Sequence, residues 1–304
     1  MEILDAKQTA DRLGYAELAN SIREVMVRRR SGELEAPPRL TPGLPEGGTL
    51  LVMPAADEEI ALTKLVTVHP ENSKRNLPTI QGEVVVMDAR TGVRLGILEG
   101  GTVTARRTAA LSLLAAQTLA KMPDGPLLIV GAGTQATAHL EAFREGLGVS
   151  KVFIVSRTDS RAEALADYAR PLGMEAAVAG EVEDVLDEVS LIVTATTSHE
   201  PVLPEEIPPD KFVAAVGAFN PEMAELPSAL LSESTVAVDT LEGVKEEAGD
   251  LIQAEKAGAF NWDRAVQLED ALQWTSLPDG PIVFKSVGDA LWDLAAARAV
   301  FSHS

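Results

Sequence analysis

The feature that most constrains this chain is a short apolar run, Leu127-Leu128-Ile129-Val130, that breaks into Gly131-Ala132-Gly133-Thr134-Gln135-Ala136 and continues without a breaker to Leu147. Such a succession reads as a buried strand, a tight glycine turn and a helix over 134–147. Further apolar runs follow at 152–155 (VFIV), 174–178, 191–196 (LIVTAT), 212–217 (FVAAVG) and 235–239 (TVAVD), with a helix expected over 159–169 and a short acidic one after Val178. Strands alternating with helices at this spacing predict βαβ units and a parallel sheet. In that context the glycines take on a chemical meaning. Gly131 permits the turn, Gly133 lets the backbone approach a pyrophosphate, and Ala136 lets the helix pack closely on the strand. The helix N-terminus offers its N–H groups and positive dipole end to the phosphates. The alternative is an ordinary strand-to-helix turn with no ligand.

A dinucleotide is thus the expected ligand, with Gly131, Ala132, Gly133, Thr134 and Gln135 at its pyrophosphate and Thr194, Ala195 and Thr196 at a neighbouring strand end. The end of the second strand selects between coenzymes. An NAD site asks for a carboxylate there, to accept from the ribose 2′-OH. The strand instead runs into Ser156-Arg157-Thr158, a guanidinium between two hydroxyls that suits a 2′-phosphate. NADPH is expected, with NADH as the alternative; the bland reading makes Arg157 a surface residue and Asp159 a helix cap.

The region before this domain follows another pattern. Residues 1 to about 30 predict one or two polar helices ending in Arg28-Arg29-Arg30, a solvated helix end. Ala36 to Gly48 is dense in Pro and Gly and predicts loop. Runs at 49–55, 60–70 and 82–100, the last with a turn at 89–92, predict an antiparallel sheet. Thr104 to Ala120 predicts a helix capped by Thr104, and 286–300 a final helix with Val287, Leu291, Leu294 and Ala295 on one stripe.

Three cations here stand where physical chemistry does not favour them. Strand parity puts Lys64 on the apolar face with Ile60, Leu62 and Val66, where an unpaired ammonium is costly. It must snorkel, pair with an acid or await an anion. Arg107 is expected in the first turn of its helix, the end that disfavours cations. Arg39 lies in the Pro-rich loop, which could close over a site. Singly each has a structural explanation; together, beside a nicotinamide domain, they suggest a clamp for a carboxylate. His69 is either an acid or base near Lys64 or a solvated strand-end residue, and His139 is read as structural. The histidines show no metal-ligand spacing, no GxSxG elbow is present, and the acidic pairs Glu205-Glu206 and Glu246-Glu247 read as solvated. No metal is expected.

Composition sets the outer limits. The chain has 304 residues, 46% apolar and 24% charged, so about two domains are expected and folding buries roughly 75% of the unfolded surface. Its net charge of −20 repels phosphate backbones and anionic membranes, which argues against nucleic-acid and membrane partners. The absence of cysteine removes disulfides and thiolate chemistry. No apolar run approaches a membrane span, and the N-terminus lacks a leader's basic and apolar regions; a cytoplasmic protein is expected.

The stretches Lys64-Leu65-Val66-Thr67-Val68-His69-Pro70-Glu71-Asn72, Thr104-Ala105-Arg106-Arg107-Thr108-Ala109-Ala110, Gly131–Ala136 and Phe284-Lys285-Ser286-Val287-Gly288 occur in this order. Together they resemble the ornithine cyclodeaminase/μ-crystallin family over nearly the whole chain. The resemblance implies an α/β fold in which a Rossmann domain (113–285) is inserted into a substrate-binding and dimerisation domain (1–112), completed by a C-terminal helix (286–304). It implies a homodimer, and residues matching Arg39, Lys64 and Arg107 at the substrate carboxylate, with Lys64 and Arg107 catalytic. Cyclodeaminases of the family carry an aspartate that handles the amine; the matching position here is Phe219, followed by Asn220. Both are expected to line the substrate site, where a phenylalanine can neither take a proton nor anchor an ammonium.

The expected activity is therefore NADPH-preferring reduction of a cyclic ketimine, Δ1-pyrroline-2-carboxylate or Δ1-piperideine-2-carboxylate, to L-proline or L-pipecolate. Water, His69 or the iminium's own proton would serve the nitrogen. The alternatives are an alanine dehydrogenase-type reductive aminase, an ornithine cyclodeaminase, and a non-catalytic NADPH-dependent protein that binds a small ligand.

Overall fold

The computed structural model describes residues 1–75 and 77–302, which form two compact units, Met1–Leu111 with Asp289–Ser304, and Ser112–Gly288. The first unit opens with β1 (Glu2–Leu4), α1 (Ala6–Arg12) and α2 (Tyr15–Arg30). The strand departs from the all-helical expectation, and Asp5 explains it. Its carboxylate accepts the Gln8 N–H at 2.8 Å while Gln8 Oε1 accepts the Asp5 N–H at 3.1 Å. This capping box starts α1 and leaves Glu2–Leu4 extended. Helix α2 is amphipathic rather than polar, burying Leu18, Ile22, Val25 and Met26. Nor is its basic end simply solvated, since Arg28 lies 3.8 Å from the Asp57 carboxylate.

Strands β2 (Thr49–Ala56), β3 (Ile60–Val68), β4 (Ile80–Asp88) and β5 (Arg94–Glu99) form an antiparallel meander, and β1 adds parallel to β5. The order is β1-β5-β4-β3-β2. Alternation along β3 buries Ile60, Leu62, Lys64 and Val66 on one face, while Leu65 on the other is 42% exposed. The Pro-rich segment is not a free loop. Leu40 and Val52 exchange backbone hydrogen bonds of 3.0 and 2.9 Å, and bridges join Glu35 to Ala56 and Gly43 to Thr49. Arg39 is therefore held along the edge of β2 rather than on a mobile flap.

Helix α3 (Gly100–Leu119) starts earlier than its glycines suggest. The Glu99 carboxylate accepts the Gly101 N–H at 2.9 Å and the Thr102 N–H at 2.6 Å, so an acid at the end of β5 caps the helix. Thr104 is thus not the cap, and Arg106 and Arg107 lie in the second turn, away from the unfavourable end. Arg106 is fully explained by structure: it donates to the Leu13 carbonyl at 2.6 Å and stacks 4.0 Å from the centre of the Tyr15 ring.

The second unit continues with β6 (Leu127–Val130), α4 (Thr134–Leu147), β7 (Lys151–Val155), α5 (Asp159–Ala169), β8 (Glu175–Val178), β9 (Leu191–Thr194) and β10 (Phe212–Ala215). After them come α6 (Ser228–Glu233), β11 (Thr235–Val238), α7 (Leu241–Glu247), α8 (Gly249–Lys256), β12 (Ala265–Gln267), α9 (Leu268–Ala271) and β13 (Ile282–Lys285). The strands pair in parallel in the order β12-β11-β13-β10-β9-β6-β7-β8. The order reverses at β6, flanked by β7 and β9, and such a switch point leaves a crevice at the carboxyl ends of the strands. The fold is the expected α/β one with a parallel sheet.

Three details of this unit differ from expectation. Strands β12 and β13 extend the sheet, β13 lying wholly buried between β10 and β11. Residues 180–188 form turns, not an acidic helix: Asp184 accepts the Glu181 N–H at 3.0 Å, and Val182 and Val185 drop into the core with Ile192 and Val213. Thr158, not Asp159, is the N-cap of α5. The last helix, α10 (Ala290–Phe301), also begins later than Ser286. Ser286 Oγ, Val287 N–H and Gly288 N–H all donate to one Asp239 oxygen, at 2.7, 3.1 and 2.8 Å, and Asp289 then caps the helix through Leu291 N–H at 2.9 Å. Helix α10 belongs to the first unit, packing on α2, β2 and β3. Among the described residues no helix is long and apolar enough to cross a membrane.

Candidate functional site

In the second unit the glycine turn opens a cavity of about 520 Å³ at the carboxyl ends of β6, β7 and β9. Gly131 has φ +116°, and a Cβ there would lie 2.5 Å from the Ala195 carbonyl oxygen, so only glycine fits. Gly133 is the N-cap of α4, and a Cβ on it would meet nothing within 4 Å. The helix N-terminus therefore faces open space across bare backbone, the arrangement an anionic diphosphate needs. Ala136 is fully buried, as close packing of α4 demands.

The cavity is lined by Gly131, Ala132, Gly133, Ser156, Arg157, Thr158, Ala195 and Thr196 among the expected coenzyme residues. Thr134, Gln135 and Thr194 are not in its lining. Thr134 is exposed, and Gln135 Oε1 and Thr194 Oγ1 are buried without a hydrogen-bond partner among the described residues. Arg161, in the first turn of α5, also lines the cavity, as do Glu181 and Glu183 beyond β8. The two guanidiniums and two hydroxyls beside β7 fit a phosphate, and the bare turn fits a second; this donor set suits a dinucleotide. Arg161 was legible only as a polar helix residue, because its direction depends on where α5 starts.

Beyond β9 and β10 lies a buried charge network that sequence reading missed. Glu225 is fully buried, and its carboxylate accepts from Thr196 N–H at 2.7 Å, Thr196 Oγ at 2.9 Å, Gly217 N–H at 2.7 Å and Ala218 N–H at 3.3 Å. Burial raises its pKa, Lys285 and the backbone donors oppose that rise, and Asp250 adds to it. Asp250 in turn accepts the Glu225 and Leu226 N–H groups at 2.5 and 2.9 Å and pairs with Lys285 at 2.5 Å. The turn between these anchors holds Phe219, 46% exposed. Asn220 spends its side-chain carbonyl within the turn, on Glu222 and Met223 N–H at 3.0 and 3.2 Å.

The first unit brings Lys64 and Arg107 together. Lys64 Nζ lies 3.0 and 2.8 Å from the two oxygens of Asp293, and Arg107 Nε 3.4 Å from the same carboxylate. Lys64 and Arg107 are 2% and 5% exposed and Asp293 fully buried. One acid is thus shared between two cations, leaving a surplus of positive charge in a desolvated place. Burial lowers the Lys64 pKa to about 8; Asp293 resists this, while Arg107 and Arg39 reinforce it. The field of Arg39 therefore reaches Lys64. Thr104 Oγ stands 3.5 Å from Lys64 Nζ. Asp293 was missed, although a carboxylate within the apolar run Ala290–Ala297 is itself a signal of a buried partner.

His69 does not join this cluster. It lies beyond the end of β3 on the parity opposite to Lys64, and its ring packs where a Cβ on Gly48 would fall. His139 is buried, with Nε2 2.9 Å from Ser112 Oγ and Nδ1 2.7 Å from the Gln135 carbonyl, and burial lowers its pKa to about 4. It is a neutral core residue.

Comparison with known proteins agrees with this architecture. A family model described as the ornithine cyclodeaminase/mu-crystallin family matches residues 2–304. Δ1-Pyrroline-2-carboxylate reductase 1 of Burkholderia multivorans is 37% identical over 297 residues, spanning 97% of this chain and 94% of that one. The Δ1-pyrroline-2-carboxylate/Δ1-piperideine-2-carboxylate reductase of Azospirillum brasilense is 36% identical over 97% of this chain and 94% of its own. Among solved structures, Thermococcus litoralis Δ1-pyrroline-2-carboxylate reductase in complex with NADH and L-proline superposes with a TM-score of 0.91 at 27% identity, covering 99% of this chain and 96% of that one. With a glycine-turn cavity in one unit, a cationic cluster in the other and this likeness along its length, the chain belongs to the ornithine cyclodeaminase/mu-crystallin family.

Proposed function

We propose that this protein is an NAD(P)H-dependent oxidoreductase that reduces the C=N bond of cyclic 2-carboxy-imines, Δ1-pyrroline-2-carboxylate to L-proline and Δ1-piperideine-2-carboxylate to L-pipecolate, with NADPH preferred. The observation that carries the reading is the Lys64–Arg107–Asp293 cluster, whose surplus charge a substrate carboxylate would neutralise. The named activities of the 37% and 36% identical relatives support the choice of imine. The coenzyme, when bound, supplies the hydride. Gly131 to Gly133 would hold its diphosphate, and Ser156, Arg157 and Thr158 a 2′-phosphate. Lys64, Arg107 and Arg39 would fix the carboxylate and so the imine carbon beside it, which is the orientation such a transfer requires. At the position where the family resemblance places the cyclodeaminase aspartate, Phe219 has no acceptor for an ammonium, which favours a cyclic imine over ornithine.

We also propose a homodimer. The face of the first unit's sheet opposite Lys64 exposes Ile3 at 67% and Leu65 at 42%, beside half-buried Val85 and Ile97, an apolar surface that a second copy would cover. The decisive experiment crosses NADH and NADPH with both cyclic imines, pyruvate plus ammonia, and ornithine. Coenzyme oxidation with the cyclic imines, faster with NADPH, is expected. Turnover that demands pyruvate with ammonia, or ammonia released from ornithine, would replace this reading.

A further inference from the structure

The segments that follow β9 and β10 share backbone bonds farther out, Ala224 N–H to the Ser198 carbonyl at 3.1 Å and Val202 N–H to the Glu225 carbonyl at 2.8 Å, but their first turns are tied together by one acid. Four donors from these two turns converge on Glu225: both oxygens are spoken for, Oε1 by Thr196 and Oε2 by Gly217 and Ala218. The turns are pressed together so closely that a Cβ on Gly217 would fall 2.2 Å from the Thr196 carbonyl oxygen. Thr196 lines the glycine-turn cavity, and Ala195 before it sets the limit on Gly131. The acid is in turn anchored, its own N–H held by Asp250, which Lys285 of β13 neutralises. Two carboxylates and one ammonium are thus sealed in the core, an arrangement that apolar residues of the same volume would often better for stability. Such a choice is expected where position matters more than stability.

We propose that Glu225 is a positioning residue for the coenzyme, its ionised carboxylate clamping the turns after β9 and β10 into the spacing that keeps the cavity wall at Thr196 and the close approach at Gly131 in place. The inference rests on the coenzyme-binding reading above. It concerns the part of the site common to both coenzymes, so it predicts a loss that does not discriminate between them. Glu225→Gln is the sharpest probe, because an amide of the same size brings N–H groups where every neighbour already donates.

Binding of NADH and of NADPH to the full-length protein is measured by coenzyme fluorescence, with thermal unfolding alongside. In Glu225→Gln the Kd of both coenzymes is expected to rise at least tenfold and by the same factor. Glu225→Asp, which keeps the charge but reaches only one turn, is expected to recover part of the loss. Wild-type Kd values in Glu225→Gln, whatever the change in Tm, would reduce Glu225 to a core residue and overturn the proposal. A rise confined to NADPH would overturn it too, by pointing to the 2′-phosphate instead. A wild-type protein that binds neither coenzyme would defeat the coenzyme reading itself, a distinct result.

Discussion

The Lys64–Arg107–Asp293 cluster and the Glu225–Asp250–Lys285 network are both buried and both mix charges, yet they are built in opposite ways. In the first, cations outnumber the acid, the Arg107 contact is long at 3.4 Å, and Lys64 is driven down to about 8. In the second, acids outnumber the cation and backbone N–H groups satisfy both Glu225 oxygens. A carboxylate network can be completed by backbone, which supplies donors everywhere in a turn. An excess of ammonium and guanidinium is harder to complete from within, since a side-chain carboxylate or an outside anion is needed to match the charge. Closure marks the architectural cluster and incompleteness the one proposed to bind a carboxylate.

The comparison can be broken or sharpened by substitution. Lys285→Met would leave Asp250 buried without its counter-charge and should cost about 3–5 kcal/mol of stability, read as a fall in the urea midpoint. Lys64→Met leaves Asp293 with Arg107 and should cost clearly less; equal losses would erase the difference between the two clusters. Next, Arg107→Leu should lower kcat/KM for the cyclic imine by a factor of about 100–1000, or roughly 2.7–4 kcal/mol of transition-state stabilisation, with the protein still folded by circular dichroism. Arg157→Ala should raise the KM for NADPH about tenfold more than that for NADH, roughly 1.4 kcal/mol of discrimination. The smallest effect is a pH slope. Lys64 loses its proton above about pH 8, so kcat/KM should decline as pH rises through that value. In Asp293→Asn the decline should begin at lower pH, because Asp293 is what holds the Lys64 proton; an unmoved profile would assign the slope to another group.

Much of this molecule is written locally. Helices α4 and α5 start and stop where capping chemistry and breakers place them, Thr134–Leu147 and Asp159–Ala169, and the alternation in β3 puts Lys64 on the buried face. What was not legible depends on partners far along the chain. Strand β13 is no shorter than β6 or β9, but no predicted helix leads into it, and its place in the sheet comes from β10 and β11, which flank it. The start of α3 was misread because two glycines suggest a break, whereas Glu99 supplies the acceptors they lack. Glu225 sits among ordinary turn residues, and its four donors come from positions up to 29 residues earlier. In the cationic cluster the misplaced charges were visible, but the acid that organises them lies 229 residues beyond Lys64.

The cap at Glu99 has a consequence for how this chain can vary. By fixing where α3 begins, it sets the rotational phase at which Thr104 and Arg107 leave the helix, one above the other. Each residue added or removed between Glu99 and Thr104 would swing Arg107 by about 100° around the axis and carry it off the Asp293 carboxylate. That short stretch should accept changes of identity far more readily than changes of length.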